Sequence, residues 1–338
     1  MTRLTLSLSI EAPKLVRPFV ISTGARTHQP YLSVRLSDGT YVGRGAAAGL
    51  RYFGENPESL SAQIETVRTE IEQGLSRIDL LEILPAGGAR AAVDAALWEL
   101  EAARDHTTVA AKLNITPGPV VSAFTIVLDD PDVMAKQARE EAWRPLLKVK
   151  VGGSANLEGD RLRTVAQAAP STRKVIDANA GWTVQQLGEL APIAASLGYE
   201  LLEQPLAIGS EDDPEARAAL RTAAQSLPLC ADESFQTAAD FDRIDSLYQA
   251  INIKLDKCGG LTSALLMRDE ARARGLSIFV GCMLAPTVAI APAHLLAQDA
   301  DYADLDGPFW FANEPVSLTK NGCFEPVGED IWGAGRTR

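Results

Sequence analysis

"PLLKVKVGGSANLEGDRLRTVAQAAPSTRKVIDAN", residues 145–179, holds the unit from which most of this chain is built: a short apolar run ending in charge, an Ala-rich helical stretch, and another apolar run ending in an acid. Side chains of a β-strand alternate between faces, so Lys148 and Lys150 point the same way. Two ammonium groups on one face repel each other unless the face is wet or something negative is delivered to it. Leu146, Leu147, Val149 and Val151 make this an interior strand covered on both faces, which favours the second explanation.

The unit repeats. The runs "SAFTIVL", "PLLKVKV", "RKVIDAN", "YELLEQP", "LPLCADES", "AINIKLD", "LSIFVGCM" and "YADLDG" follow one another, and the markers Asp177, Glu203, Asp232, Lys254 and Gly281 recur every 22–29 residues. That is close to the ~30 residues per unit of a barrel that makes eight βα units from about 250 residues. The spacing predicts a parallel β/α barrel rather than a doubly wound sheet. After the eighth run, "PFWFANEPVSLTKNGCFEPVGEDIWG" has no helical period, so the expected form is (β/α)7β.

Upstream, "LTLSLSIEA" alternates, "YLSVRLSDGTYVGRG" reads as a hairpin around Asp38 and Gly39, and three helical stretches are expected over roughly residues 57 to 115. The resulting organisation is an α+β capping domain over 1–118, a TIM-like barrel over 119–309, and a tail over 310–338 that returns to the cap.

The chain has 338 residues, a net charge of −12, 22% charged and 46% hydrophobic residues, a composition ordinary for a soluble globular protein. No basic footprint is present for nucleic acid or an anionic membrane surface. There is no signal-peptide block and no run of about 18 apolar residues, so a cytoplasmic protein is expected. Cys230, Cys258, Cys282 and Cys323 are widely spaced without a CxxC pair, which argues against zinc and against a disulfide framework. Reduced thiols fit that compartment.

In a β/α barrel the C-terminal ends of the strands share one mouth, where chemistry is found. Here those ends carry Lys148, Lys150, Asp177, Asn179, Glu203, Asp232, Glu233, Lys254, Asp256, Asp304 and Asp306. A single strand-end acid more often caps the following helix. Three in succession, in "DAN", "EQP" and "DES", point to a hard divalent cation with oxygen ligands, and Mg²⁺ fits best. Lys148 and Lys150 end run two, on one side of these acids, and Lys254 ends run six, on the other. A substrate carboxylate on the metal would lie between amines, its α-proton acidified because the metal and Lys148 stabilise the enediolate. Lys150 and Lys254 are then two candidate bases, with burial and neighbouring positive charge expected to lower their pKa values.

The set Lys148-x-Lys150, Asp177-x-Asn179, Glu203-x-Pro205, Asp232-Glu233-Ser234 and Lys254-x-Asp256 resembles the enolase superfamily, in its muconate lactonising enzyme subgroup, across nearly the whole chain. The resemblance implies that Asp177, Glu203 and Asp232 bind Mg²⁺, that Lys150 and Lys254 exchange a proton on opposite faces of the α-carbon, and that Lys148 steadies the carboxylate. "ADLDGP", with Asp304 and Asp306, is similar to the dipeptide epimerase signature in which two acids, expected here on one strand, hold the substrate α-ammonium. In the loop "STGARTHQ", Arg26 matches the arginine that binds the side-chain carboxylate in epimerases of L-Ala-D/L-Glu. "GLRYFGENPES" resembles the second specificity loop, with Arg51, Tyr52 and Phe53 closing the pocket. Thr125 matches a substrate-contacting threonine, and Cys282 and Leu284 of "GCML" match a segment that touches the peptide through backbone groups.

Two positions depart from the pattern. Ala285 stands where many relatives have the glutamate used by cycloisomerases, which counts against their reaction. "GRGAAAG" replaces the common Gly-x-Gly-Glu, which removes any acid near Ala46. The implied activity is a Mg²⁺-dependent two-base 1,1-proton transfer on the glutamyl carbon of a small dipeptide, in murein peptide recycling. Other dipeptide specificities, N-succinylamino acid racemase, o-succinylbenzoate synthase and cycloisomerase reactions stay open, as do a metal-containing peptide-binding module and a homo-oligomer.

Overall fold

The structure, a computed structural model, describes residues 3–21, 24–153 and 156–337. The capping domain begins with five strands: β1 (Thr5–Glu11), β2 (Lys14–Ile21), β3 (Gly24–His28), β4 (Tyr31–Ser37) and β5 (Tyr41–Ala47). In β1 the alternation turns Leu6 and Leu8 toward the cap core while Thr5, Ser7 and Ser9 face outward. The β4–β5 turn forms at Asp38 and Gly39 as expected: Gly39 has φ +95°, and Asp38 Oδ1 accepts the backbone N–H groups of Thr40 and Tyr41 at 2.9 and 2.8 Å.

Two cap features differ from the sequence reading. Five helices occupy the expected three stretches: Pro57–Thr66, Arg68–Glu72, Arg77–Ile83, Gly88–Arg104 and Val109–Lys112. Val67, at φ −122° and ψ 16°, splits the first stretch by leaving the helical region. The supposed loop around Arg26 is the second strand of a β2–β3 hairpin, with Arg26 paired to Phe19. Pro18 interrupts β2 and its register shifts between Lys14 and Phe19, which hid the strand from an alternation test. Ser22 and Thr23 of that motif lie outside the described residues.

The helix Gly88–Arg104 packs against β5 with almost no gap. A Cβ on Gly43 would come within 1.9 Å of the Ala96 carbonyl oxygen, and one on Gly45 within 2.0 Å of that of Ala92. Gly43→Ala is therefore expected to lower stability by about 1–3 kcal/mol through overpacking. Denaturant unfolding checks this; an unchanged midpoint would mean that the helix and β5 can part freely there.

The barrel strands are β6 (Phe124–Ile126), β7 (Leu146–Lys150), β8 (Arg173–Asp177), β9 (Leu202–Glu203), β10 (Leu229–Ala231), β11 (Ala250–Lys254), β12 (Ser277–Gly281) and β13 (Tyr302–Asp304). They form one parallel eight-stranded sheet in chain order. The ring closes where Ser122 bridges Ala303 in parallel and Ala123 N donates to Ala303 O at 2.7 Å. Helices fill each of the seven crossovers, and only a 3₁₀ turn, Gly307–Trp310, follows β13. The fold is thus a (β/α)7β barrel with an N-terminal cap.

Inside the barrel Ala123, Leu146, Val175, Leu201, Cys230, Ala250 and Phe279 pack together as an apolar plug. Two residues further along the same inward faces come Lys148, Asp177, Glu203, Asp232 and Asn252, while Leu147, Val149 and Ile176 face outward to the helices. The tail returns to the cap: the Trp332 indole donates to Arg44 O at 3.0 Å, Gly333 N donates to Glu99 Oε1 at 3.1 Å, and β14 (Arg336–Thr337) pairs antiparallel with β5. All four cysteines are free thiols. Among the described residues no helix is long and apolar enough to cross a membrane.

Candidate active site

Asp177, Glu203 and Asp232 are completely buried just above the apolar plug. Strand register sets Lys150 level with Asp177 and Asp177 level with Glu203. The Lys148 ammonium lies 2.9 Å from Asp177 Oδ2 and 2.8 Å from Glu203 Oε2, and donates to Asp304 Oδ2 at 2.9 Å. Lys150 donates to Asp177 Oδ2 at 2.6 Å and to Asn179 Oδ1 at 3.0 Å; Lys254 donates to Asp232 Oδ2 at 2.6 Å. All six residues predicted for metal and proton chemistry therefore meet in one place. Because β7 and β11 are four strands apart in a ring of eight, Lys150 and Lys254 stand on opposite sides of it.

Above this floor opens a cavity of about 500 Å³. Lys148, Lys150 and Lys254 reach it, whereas Asp177, Glu203 and Asp232 lie beneath its surface. The cap contributes Arg26, Arg51 and Tyr52; the barrel contributes Thr125, Cys282, Leu284, Asp304 and Asp306. Arg26 donates to Gln29 Oε1 at 2.9 Å. Asp306 sits beyond the end of β13, at the start of the 3₁₀ turn, rather than on the strand as its DxD spacing suggested. It still lines the same cavity as Asp304, and Thr125 N donates to its Oδ2 at 2.9 Å.

Charge governs the site. Burial, and then the Asp177 carboxylate, pushes Glu203 up to about 8; burial, and then Asp232, pushes Glu233 up to about 7. Burial, and then Asp304, raises Asp306 to about 6. For Asp177 and Asp232 burial acts the same way, but the ammonium pairs Lys148 and Lys150, and Lys254 and Lys257, hold both well below the ordinary carboxylate range. Lys254 departs from the expectation of a lowered pKa. Burial pulls it down most, but Asp232, Tyr52 and Glu203 together outweigh that and raise it well above the usual lysine value.

Among the described residues no three carboxylate, thiol or imidazole groups are arranged to grip one ion directly; ammonium groups stand between the acids. The donor set nevertheless suits a hard divalent cation. Its members are buried oxygens, and Glu203 Oε2 accepts no hydrogen bond, although the Lys148 ammonium forms an ion pair with it at 2.8 Å. Asp177, Glu203 and Asp232 lie within one cluster of mutual repulsion, in which Asp177 and Asp232 both raise Glu203, the charge pattern that a hard divalent cation relieves.

Three contributors escaped the sequence reading. Lys257 is buried and donates to Asp232 Oδ1 at 2.6 Å and to the carbonyls of Asp232 and Asn252 at 2.7 Å each. Asn252 donates to Glu203 Oε1 at 2.7 Å; its signal was an amide inside the apolar run "AINIK", two residues before Lys254. Gln204 accepts the N–H groups of Asp232 and Ser234 at 3.0 Å each and donates to Ser234 Oγ at 2.8 Å, tying the ends of β9 and β10 together. It does so at φ +34°, and Asn179 and Ala180 are also left-handed at φ +43° and +60°, so backbone strain is concentrated at this rim.

Comparison with known proteins agrees with this fold. The E. coli (strain K12) L-Ala-D/L-Glu epimerase is 40% identical over 311 residues, covering 91% of this chain and 94% of its own. An Agrobacterium tumefaciens enolase family member with homology to dipeptide epimerases, solved with sodium and L-Ala-L-Glu, superposes with a TM-score of 0.91 at 38% identity, covering 98% of this chain and 100% of its own. A Cytophaga hutchinsonii dipeptide epimerase solved with Mg and D-Ala-L-Val gives 0.86 at 25% identity, covering 99% and 96%. The Enolase C-terminal domain-like family matches residues 133–319, and the Mandelate racemase / muconate lactonizing enzyme N-terminal domain matches residues 4–113. With both halves matched in order, the chain belongs to the mandelate racemase / muconate lactonizing enzyme family of the enolase superfamily.

Proposed function

We propose that this protein is an isomerase, a Mg²⁺-dependent dipeptide epimerase that inverts the glutamyl α-carbon of L-Ala-D/L-Glu. The observation that carries the reading is the placement of Lys150 and Lys254 on opposite sides of one cavity, above three buried acids. Bound by Asp177, Glu203 and Asp232, Mg²⁺ would satisfy these acids, weaken their hold on the lysine ammonium groups and polarise the substrate carboxylate. Lys150 takes the α-proton from one face. Lys148, buried and fixed by three acids, faces the negative charge that develops on the carboxylate. Lys254 returns a proton on the other face, and the reverse sequence converts the second epimer. Asp304 and Asp306 receive the substrate α-ammonium, and Arg26 the side-chain carboxylate. Division at 118/119 and 309/310, a cytoplasmic location and a part in murein peptide recycling belong to the same reading.

The test is α-carbon deuterium uptake in D₂O across L-Ala-L-Glu, L-Ala-L-Lys, L-Ala-L-Phe and N-succinyl amino acids. L-Ala-L-Glu should exchange fastest. Exchange confined to N-succinyl substrates would transfer the protein to the racemase reading, and none at all to a binding module. Arg26→Gln should lower kcat/KM for L-Ala-L-Glu by about 10- to 100-fold, the worth of a charge-assisted hydrogen bond, and change L-Ala-L-Gln far less. An equal loss on both dipeptides would take the side-chain role away from Arg26.

A further inference from the structure

Two residues beyond Lys254, the barrel takes hold of the cap. Asp256 is buried in the short helix Leu255–Cys258, and its Oδ1 accepts the backbone N–H groups of Ala48 and Gly49 at 3.2 Å each. Gly49 has φ +78°, which turns the chain sharply into the cap loop. The far side of that loop is held by Glu55, whose carboxylate accepts Leu50 N at 2.9 Å and Gly88 N at 3.3 Å. Between the two carboxylates lies the 3₁₀ turn Arg51–Phe53, from which Arg51 and Tyr52 reach the cavity that Lys254 also lines.

The next residues of the barrel tighten the same joint. The Arg90 guanidinium donates to Cys258 O at 2.7 Å and Gly259 O at 3.2 Å, the Trp98 indole donates to Thr262 Oγ1 at 3.0 Å, and Asp94 accepts Thr262 N at 3.1 Å. A Cβ on Gly259 would meet Arg90 Nε at 2.2 Å, so this approach leaves no slack. The strand that supplies the second base therefore ends in the segment that anchors the cap loop.

We infer that Asp256 is a positioning residue: by gripping Ala48 and Gly49 it fixes the Arg51–Phe53 turn over the Lys254 side of the cavity, coupling the substrate-facing wall to the strand that carries the base. This deepens the reading of Lys254 as a base and rests on it. Asp256 touches no reacting atom; it acts through the loop. Substrate binding, more than proton transfer, should feel its loss.

The experiment combines kinetics with amide hydrogen exchange on full-length protein. Asp256→Ala should raise KM for L-Ala-L-Glu about 10-fold or more, as two hydrogen bonds of ordinary strength are lost, with kcat within about 3-fold. The Ala48 and Gly49 amides should exchange at least about 10-fold faster. Asp256→Asn keeps an oxygen that accepts both N–H groups and should restore both readouts. Asp256→Glu, a milder change if the alanine variant folds poorly, should raise KM by displacing the loop. Unchanged exchange in D256A overturns the anchor. Faster exchange with unchanged KM overturns its role in the reaction, because a merely structural tie would move stability alone. If the wild-type protein epimerises no dipeptide, the proposed function fails, while the exchange arm still decides whether Asp256 holds the loop.

Discussion

Lys150→Ala and Lys254→Ala should each abolish epimerisation of L-Ala-L-Glu, with losses in kcat of about 10²- to 10⁴-fold and a much smaller effect on binding. The two amines approach the cavity from β7 and β11, on opposite sides of the ring. Each variant should therefore keep a partial reaction. With one base missing, the remaining lysine can still exchange the α-proton of the epimer that presents its hydrogen to that side, returning deuterium without inversion. Mass spectrometry of substrate recovered from D₂O, resolved by epimer, reads this. Substantial inversion by either single variant would refute the two-base scheme. Circular dichroism guards against loss of fold, since each change leaves a buried carboxylate short of one partner.

Removal of divalent cation should stop turnover, and Mg²⁺ should restore it. Asp177, Glu203 and Asp232 crowd together out of water, where burial and then the Asp177 charge push Glu203 up to about 8, and a divalent cation would relieve that repulsion. A ligand that binds only the folded protein stabilises it by about 2.7 kcal/mol at 100 times its Kd. Melting of chelator-treated protein should accordingly shift upward with added Mg²⁺, and Asp232→Asn or Glu203→Gln should flatten that shift. An identical melting curve with and without Mg²⁺ would remove the metal from the account, whatever the fate of activity.

Much of this site could be read from short stretches because a parallel barrel turns local order into spatial order. "KVKV", "DAN", "EQP" and "DES" each place charge at a strand end, and strands laid side by side in chain order must bring those ends to one rim. The same logic failed where local pattern was broken or silent. Pro18 masked the β2–β3 hairpin and made Arg26 look like a loop residue. Asp306, spaced like a strand residue, lies past the end of β13 because the chain turns there into Gly307–Trp310. Lys257 and Gln204 carried no distinguishing signal, as their importance lies in partners from other strands or in three acceptors gathered around one amine.

The sequence by itself determined the (β/α)7β architecture, the capping domain and the identities of the acids and amines at the mouth, because strand alternation and unit length are properties of neighbouring residues. Tertiary structure alone decided which amine holds which acid: Lys148 among Asp177, Glu203 and Asp304, and Lys254 with Lys257 on Asp232. It likewise decided that Asp256 grips the cap across some two hundred positions of chain. Such pairings depend on distance and burial in three dimensions, where a few tenths of an ångström and the loss of water set the energy, and no local pattern records either.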